Sequence, residues 1–183
     1  MPTPKQTQSR ITGGSAKGTV FELGVSPLLR PTKNRVLEAG LNMLGSRINF
    51  KDMIALDACS GSGQWGMEFL SRGAAVVDFV DADIRLTRKN MKEITGKTDG
   101  YGRMFNKNLY SFKPKQPYDV MVADPPYTEE DLYKFILKRN DWLTEKGLLL
   151  LEVPIGLELE ISKIWTILSD KNYGQSRLLL LQN

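Results

Sequence analysis

The stretch Leu56-Asp57-Ala58-Cys59-Ser60-Gly61-Ser62-Gly63-Gln64-Trp65-Gly66 runs from an apolar segment, through a glycine-rich turn, into an amphipathic one. Glycines at such a turn let a ligand approach the backbone closely, and a helix that starts there points N–H groups at it. The spacing of Gly61, Gly63 and Gly66 matches the dinucleotide-binding pattern, so this turn alone leaves a dehydrogenase or a simple nucleotide-binding module open. The flanking pattern decides the fold. A strand is predicted over 53–56, a helix over 65–71, a strand over 76–80, a helix over 84–94, and strands near 103–105 and over 118–123. A helix over about 129–139, with Thr128 and Asp131 as a capping box, and a strand over 148–153 continue the alternation. Alternating strand and helix predict an α/β fold with a doubly wound, mostly parallel sheet. The C-terminal segments 164–169 and 177–181, around a turn at 172–174, read as a terminal hairpin, with a helix over 158–168 as the competing reading.

Towards the N-terminus, residues 1–9 read as a flexible polar tail, and 10–23, with Gly13, Gly14 and Gly18, as a short hairpin or irregular cap. Arg30-Pro31-Thr32 then opens a helix on which Val36, Leu37, Gly40, Leu41 and Leu44 recur at three- and four-residue spacing, with Thr32 as N-cap and Gly45 as stop. The expected organisation is one domain over 10–183: a basic hairpin and helix over 10–52, then a cofactor-binding and catalytic core over 53–183. Residues 1–52 carry eight Lys/Arg against three Asp/Glu, and 53–183 carry seventeen against eighteen, so the chain's excess positive charge sits at its start. A basic segment beside a balanced core suits a polyanion partner, because neutralised phosphates release counterions. A solubilising tail is the plain alternative.

Composition removes several chemistries. One cysteine forms no intramolecular disulfide, and a chain without histidine lacks both the usual zinc ligand sets and an imidazole base, so no metal is expected. The longest aliphatic runs, at 148–151 and 178–181, are too short for a bilayer, and a cytoplasmic monomer that does not engage membranes is expected.

Two carboxylates favour a nucleoside with an amino-acid tail over a pyrophosphate. Asp57 at the first strand's end would repel a diphosphate but favour an ammonium, and Asp81 at the next strand's end can accept from both ribose hydroxyls. Asn108, after the third strand, can meet an adenine edge. A helix-cap carboxylate, a strand-end acid and a loop amide are the structural alternatives for these three. Cys59 reads as a packed turn residue rather than a nucleophile.

The most specific feature is Asp124-Pro125-Pro126-Tyr127, directly after the strand over 118–123 and thus at the carboxyl edge of the sheet. The prolines fix the backbone and remove donors, so Asp124 and nearby carbonyls form an acceptor-only cluster for a planar amine while Tyr127 stacks on its base. An exocyclic amine is a poor nucleophile because its lone pair is delocalised. Acceptors that draw its hydrogens out of plane localise that pair towards an alkyl donor, without histidine or metal.

Arg10-Ile11 with Gly13-Gly14 and Lys17-Gly18, Arg30-Pro31-Thr32 with Arg35-Val36 and Glu38, Leu56-Asp57 with Gly61-Ser62-Gly63, Leu70-Ser71-Arg72-Gly73-Ala74, and Asp124-Pro125-Pro126-Tyr127 together resemble the RsmD-type methyltransferases of small-subunit (16S) ribosomal RNA. The resemblance implies a Rossmann-like fold and transfer of a methyl group from S-adenosylmethionine to the N2 amine of a guanine. It implies that Asp57, Ser60, Gly61, Gly63, Asp81 and Asn108 line the cofactor pocket, that Asp124, Pro125, Pro126 and Tyr127 receive the flipped-out base, and that Arg10, Lys17, Arg30 and Arg35 face RNA of the assembling small subunit. The chain departs from the family pattern at Cys59-Ser60, Gln64-Trp65, Asp81 and Gly40. A DNA adenine-N6 methyltransferase shares the two motifs but normally adds a target-recognition segment, for which no room is visible. A methyltransferase of protein side-chain amides prefers Asn as first motif residue, and a non-catalytic nucleotide- or RNA-binding module stands as the reading from another class.

Overall fold

A strand that is apolar on both sides needs cover on both sides, and the central strands have it. In the computed structural model, which describes residues 7–24 and 30–183 (without the side chains of 7 and 30–33), the elements in chain order are β1 (Thr7–Arg10), β2 (Val20–Leu23), α1 (Arg30–Gly45), β3 (Ile54–Ala58), α2 (Gln64–Ser71), β4 (Val76–Asp81), α3 (Arg85–Ile94), β5 (Tyr101–Asn106), β6 (Tyr118–Ala123), α4 (Glu130–Ile136), β7 (Leu143–Pro154), β8 (Thr166–Tyr173) and β9 (Ser176–Gln182). Seven strands form one sheet in the order β5-β4-β3-β6-β7-β9-β8. The pairs from β5 to β7 are parallel, while β9 runs antiparallel to both β7 and β8. Alternate residues feed the two cores: Leu148 and Leu150 of β7 pack with α1 and α2, and Leu149 and Leu151 with α4. The doubly wound expectation therefore holds. Because β3 lies between β4 and β6, the winding reverses there, and the carboxyl ends of these strands border the crevice where open α/β sheets bind ligands.

Several boundaries differ from those expected. β3 covers 54–58 rather than 53–56, so Asp57 belongs to the strand itself. α1 begins at Arg30, which places Thr32 inside the helix rather than at its N-cap; Pro31, whose fixed φ suits a first turn, is taken into that turn. The Thr128–Asp131 capping box does not form: the Glu129 N–H closes a turn on the Pro126 carbonyl at 3.0 Å, and the helix starts at Glu130 without a side-chain cap. β7 begins at Leu143, because the polar stretch Glu145-Lys146-Gly147, with Lys146 at φ 65°, is absorbed as an irregularity in the strand. At the C-terminus the hairpin is the form taken, by β8 and β9.

The basic N-terminal segment docks on the core. β1 starts at Thr7 and Ser9 is buried, so at least residues 7–9 are strand rather than tail. Ile11, Ala16, Phe21 and Leu23 join the core beneath α1 and α2. The buried Glu68 carboxylate accepts the Thr12 N–H at 2.6 Å, and the Ser71 hydroxyl accepts the Ala16 N–H at 3.0 Å. Gly14 has φ 80°, and a Cβ there would stand 1.7 Å from the Ser71 carbonyl oxygen, so Gly14 belongs to this docking contact.

Gly40 and Trp65, each singled out in the sequence, lie against one another. A Cβ on Gly40 would come within 2.5 Å of Trp65 Cη2 and 2.8 Å of Leu150 Cδ2, so the large ring on α2 occupies the volume that a larger residue at position 40 would need. Alanine there should gain helix propensity of about 1 kcal/mol, but overpacking typically costs about 1–3 kcal/mol. Gly40→Ala is expected to lower the melting temperature, and Gly40→Ala with Trp65→Val to restore it. A pair of changes that simply adds, in thermal denaturation of all four proteins, would show that the two positions are independent.

Candidate active site

The glycine turn is braced by carboxylates at the strand ends. Asp57 is buried, and its Oδ2 accepts the Gly66 N–H at 2.9 Å, which ties β3 to the first turn of α2. Burial raises the Asp57 pKa well above the ordinary carboxylate value; the Gly66 bond opposes this, and the charges of Asp124 and Asp81 add to it. Asp81, half-buried at the end of β4, accepts the Gly61 N–H through Oδ2 and the Asp83 N–H through Oδ1, both at 2.8 Å. About four acceptor positions surround a carboxylate, so these two bonds leave Asp81 able to accept more. Gly61 is exposed with φ 53°, and a Cβ there would meet nothing within 4 Å. The space above the turn is open.

Ser60 and Gly63 have packing roles in the same turn. The Ser60 hydroxyl lies 3.2 Å from Thr87 Oγ1, which in turn donates to the Gly61 carbonyl at 2.9 Å, and a Cβ on Gly63 would meet Thr87 Cγ2 at 2.8 Å. Asn108 lies past the end of β5, whose Asn106 pairs with Asp81 in register. Its Oδ1 accepts the Tyr110 N–H at 3.0 Å and caps a short 3-10 turn, so this oxygen is committed to the backbone. Cys59 sits at φ 60°, with its thiol pKa raised by burial and then by Asp81, Asp124, Asp57 and Glu129; it stays protonated, which matches a packed turn residue.

Register brings the second motif to the same edge. Ala58 pairs with Ala123, so Asp124 emerges beside Cys59, and its charge acts on Asp57, Cys59, Tyr127 and Tyr133. The Pro125 carbonyl accepts the Tyr133 hydroxyl at 3.1 Å. Pro126 is exposed, and Tyr127 is half-buried with its hydroxyl donating to Glu152 Oε1 at 3.1 Å and lying 2.8 Å from Ser176 Oγ. Ser176 itself donates to Glu152 Oε1 at 2.7 Å. Sequence reasoning passed over Tyr133, Glu152 and Ser176. The available signal was Glu152, a lone carboxylate in the aliphatic run 148–153 next in chain to Leu151, which pairs with Ala123.

Of the basic residues, Arg10, Lys17 and Arg35 are exposed, and Arg10 donates to the Gly18 carbonyl at 3.3 Å. Ser9 Oγ donates to Asn34 Oδ1 at 3.2 Å and accepts from Gln64 Nε2 at 3.4 Å. Arg10 on β1 and Arg35 on α1 therefore flank a contact that reaches the glycine turn. The Arg30 side chain lies outside the described residues.

With a reversal point between β3 and β6, and an acidic edge facing it, the chain has the Rossmann-like fold of the S-adenosylmethionine-dependent methyltransferases. At 14% identity, with a TM-score of 0.64 over 87% of this chain and 86% of the other, that fold is shared by the magnesium protoporphyrin IX methyltransferase of Synechocystis PCC 6803, solved with S-adenosylmethionine bound. More closely, the chain belongs to the family of the ribosomal RNA small subunit methyltransferases D: it is 32% identical over 180 residues to that protein of Escherichia coli (strain K12), covering 96% of this chain and 90% of the other. The family profile described as Conserved hypothetical protein 95 matches residues 9–182. A solved Escherichia coli protein described as a methyltransferase superposes with a TM-score of 0.79 at 31% identity, over 97% of this chain and 98% of that one.

The raised Asp57 pKa has a direct consequence for stability. An acid whose pKa is higher folded than unfolded favours the folded chain below its unfolded pKa, and that contribution is lost as pH rises through the folded pKa. Asp57→Asn keeps an acceptor for the Gly66 N–H without the buried charge. Its melting temperature is expected to exceed that of the wild type at neutral pH and to converge with it below about pH 4, where the carboxyl is protonated in both states. A lower melting temperature for the variant at neutral pH would show that the ionised group stabilises.

Proposed function

We propose that this chain methylates the exocyclic N2 amine of a guanine in the RNA of the small ribosomal subunit, using S-adenosylmethionine, as a cytoplasmic monomer that meets the subunit during assembly. Membership of the ribosomal RNA methyltransferase family supports the substrate class. The observation that carries the chemistry is the convergence of Asp57, Asp81 and Asp124 on one sheet edge, beside a tyrosine held by its hydroxyl.

These residues fit the methyl donor. The open space over Gly61 admits its body, Asp81 has acceptor capacity for ribose hydroxyls, and the buried Asp57 favours a cationic ammonium, directly or through water. Asn108 would offer its NH2 group to adenine, since its oxygen caps the following turn. Ser60 and Gly63 hold the turn in shape. When bound, the donor supplies a sulfonium methyl; its transfer forms the N–C bond, leaves the C–S electron pair on sulfur, and releases one amine proton.

The protein's own part is positioning and electrostatics. Asp124 and the Pro125 carbonyl accept the two amine hydrogens, which pulls them out of the base plane and directs the nitrogen lone pair at the methyl group. Tyr127 stacks on the base, and Asp124 takes up the departing proton before water does. Arg10, Lys17, Arg30 and Arg35 bind phosphates around the target.

The test is transfer of labelled methyl to unmethylated small subunits, naked ribosomal RNA and duplex DNA in parallel, with nucleoside analysis. Label as N2-methylguanosine is expected; N6-methyladenine in DNA would keep the chemistry and replace the substrate. Asp124→Ala should lose roughly ten- to hundredfold in transfer while keeping cofactor affinity, since a hydrogen bond to a charged acceptor is removed. If RNA retention and biological activity persist in that variant without methyl incorporation, a binding module is the better reading. Neutralising Arg10 and Lys17 should weaken RNA binding and reduce its salt slope by about one per lost phosphate contact, and an unchanged slope would exclude them from the interface.

A further inference from the structure

We infer that Glu152 reads the target base: its carboxylate accepts the ring N1–H of guanine while Asp124 serves the adjacent N2 amine. This rests on the guanine-N2 reading and names the group that selects guanine. Four observations converge. Ala123 pairs with Leu151 in the parallel β6–β7 ladder, so the next residues are neighbours: Asp124, just past the end of β6, and Glu152, still within β7. Glu152 is only 6% exposed, and none of the ion pairs among the described residues includes it, so it is a buried carboxylate without a cation. Its two hydroxyl donors, Tyr127 and Ser176, both fall on Oε1, which fixes the orientation of the carboxylate. No hydrogen bond among the described residues reaches Oε2, so it can still accept a donor from outside.

A buried carboxylate is tolerated where donors meet it, and the described residues supply none to Oε2. Guanine carries N1–H and the N2 amine side by side on one edge, a donor pair that matches two neighbouring carboxylates, one just past β6 and one within β7. Adenine carries the lone pair of N1 next to its amine, and cytosine that of N3; either would set an acceptor against Glu152. Because Tyr127, the base-stacking residue, is held by the same Oε1, the stacking plane and the edge reader share one frame. The second function of Glu152, anchoring Tyr127, is structural, and the two are separable by experiment.

The test uses small subunits reconstituted on 16S RNA that carries, at the mapped nucleotide, either guanosine or 2-aminopurine riboside. The latter keeps the 2-amine but has a bare ring N1. Wild-type enzyme, Glu152→Gln and Ser176→Ala are compared by kcat/KM on both substrates. The ratio of the two rates does not depend on how much of each variant is folded. Wild type should favour guanosine by at least about tenfold, as expected when a charged hydrogen bond is lost. In Glu152→Gln the preference should fall towards one or invert, because the amide can donate to the bare N1; Ser176→Ala, which keeps the carboxylate, should slow both substrates and retain the preference. Equal slowing of both substrates in Glu152→Gln would reduce Glu152 to a positioning residue for Tyr127 and overturn the assignment. If instead the wild type labels a base other than guanine, the reading beneath the assignment falls, and the assignment falls with it.

Discussion

Like charges brought to one place are the constraint around which this fold is arranged. Asp57, Asp81 and Asp124 end three adjacent parallel strands, and the first is fully buried with its proton affinity raised by burial and by the other two. Backbone N–H groups answer part of that charge: Gly66 for Asp57, and Gly61 with Asp83 for Asp81. Those same bonds define the course of the turn. The chain from 57 to 66 therefore keeps its shape because the carboxylates need donors, and charge remaining on them would favour cationic and amine-bearing ligands. An anionic dinucleotide would meet the opposite of what it needs, which separates this glycine turn from a dehydrogenase turn of similar spacing.

Rigidity at the second motif has its own sources. Two prolines limit the backbone after β6, the Tyr133 hydroxyl holds the Pro125 carbonyl, and the Pro126 carbonyl closes a turn with Glu129. Tyr127 is pinned from the far side by Glu152 and Ser176, on β7 and β9. The antiparallel C-terminal hairpin thus contributes more than an edge to the sheet: through Ser176 it reaches the motif loop. Where catalysis depends on acceptors aimed at two hydrogens, displacements well under an ångström matter, and the loop is restrained on each side.

Much of this could be read before any coordinates. β6, the glycine turn and the convergence of strand ends follow from periodicity and from the rule that parallel α/β sheets bind at their carboxyl edge. What sequence could not supply were the places where tertiary contacts outrank local propensity. Thr128 and Asp131 have the spacing of a capping box, yet the turn on Pro126 moves the helix start past Thr128. Glu145-Lys146-Gly147 has the composition of a turn and is drawn into β7 by pairing at Leu143. Glu152 sits in a strand that reads as plain core, and its partner Ser176 lies 24 residues away. The contact of Gly40 with Trp65 joins two helices, so no local pattern announces it.

Long-range contacts also tie the basic segment to the glycine turn. Gln64, the residue after Gly63, donates to Ser9, which donates to Asn34, so one chain of side chains links the glycine turn, β1 and α1. Arg10 follows its middle member, Ser9, and Arg35 follows its end at Asn34, and the loop between β1 and β2 is itself bonded to α2 through Glu68 and Ser71. An extension held by buried polar bonds cannot swing freely as a tail would, because breaking them would leave Glu68 without its Thr12 partner in a site closed to water. Phosphates gripped by this surface would thus lie in a fixed frame relative to the turn and to Asp124. Under the proposed function, RNA would be selected by shape: the positive charges would set where the backbone runs, and the acidic edge would receive the base that this path delivers.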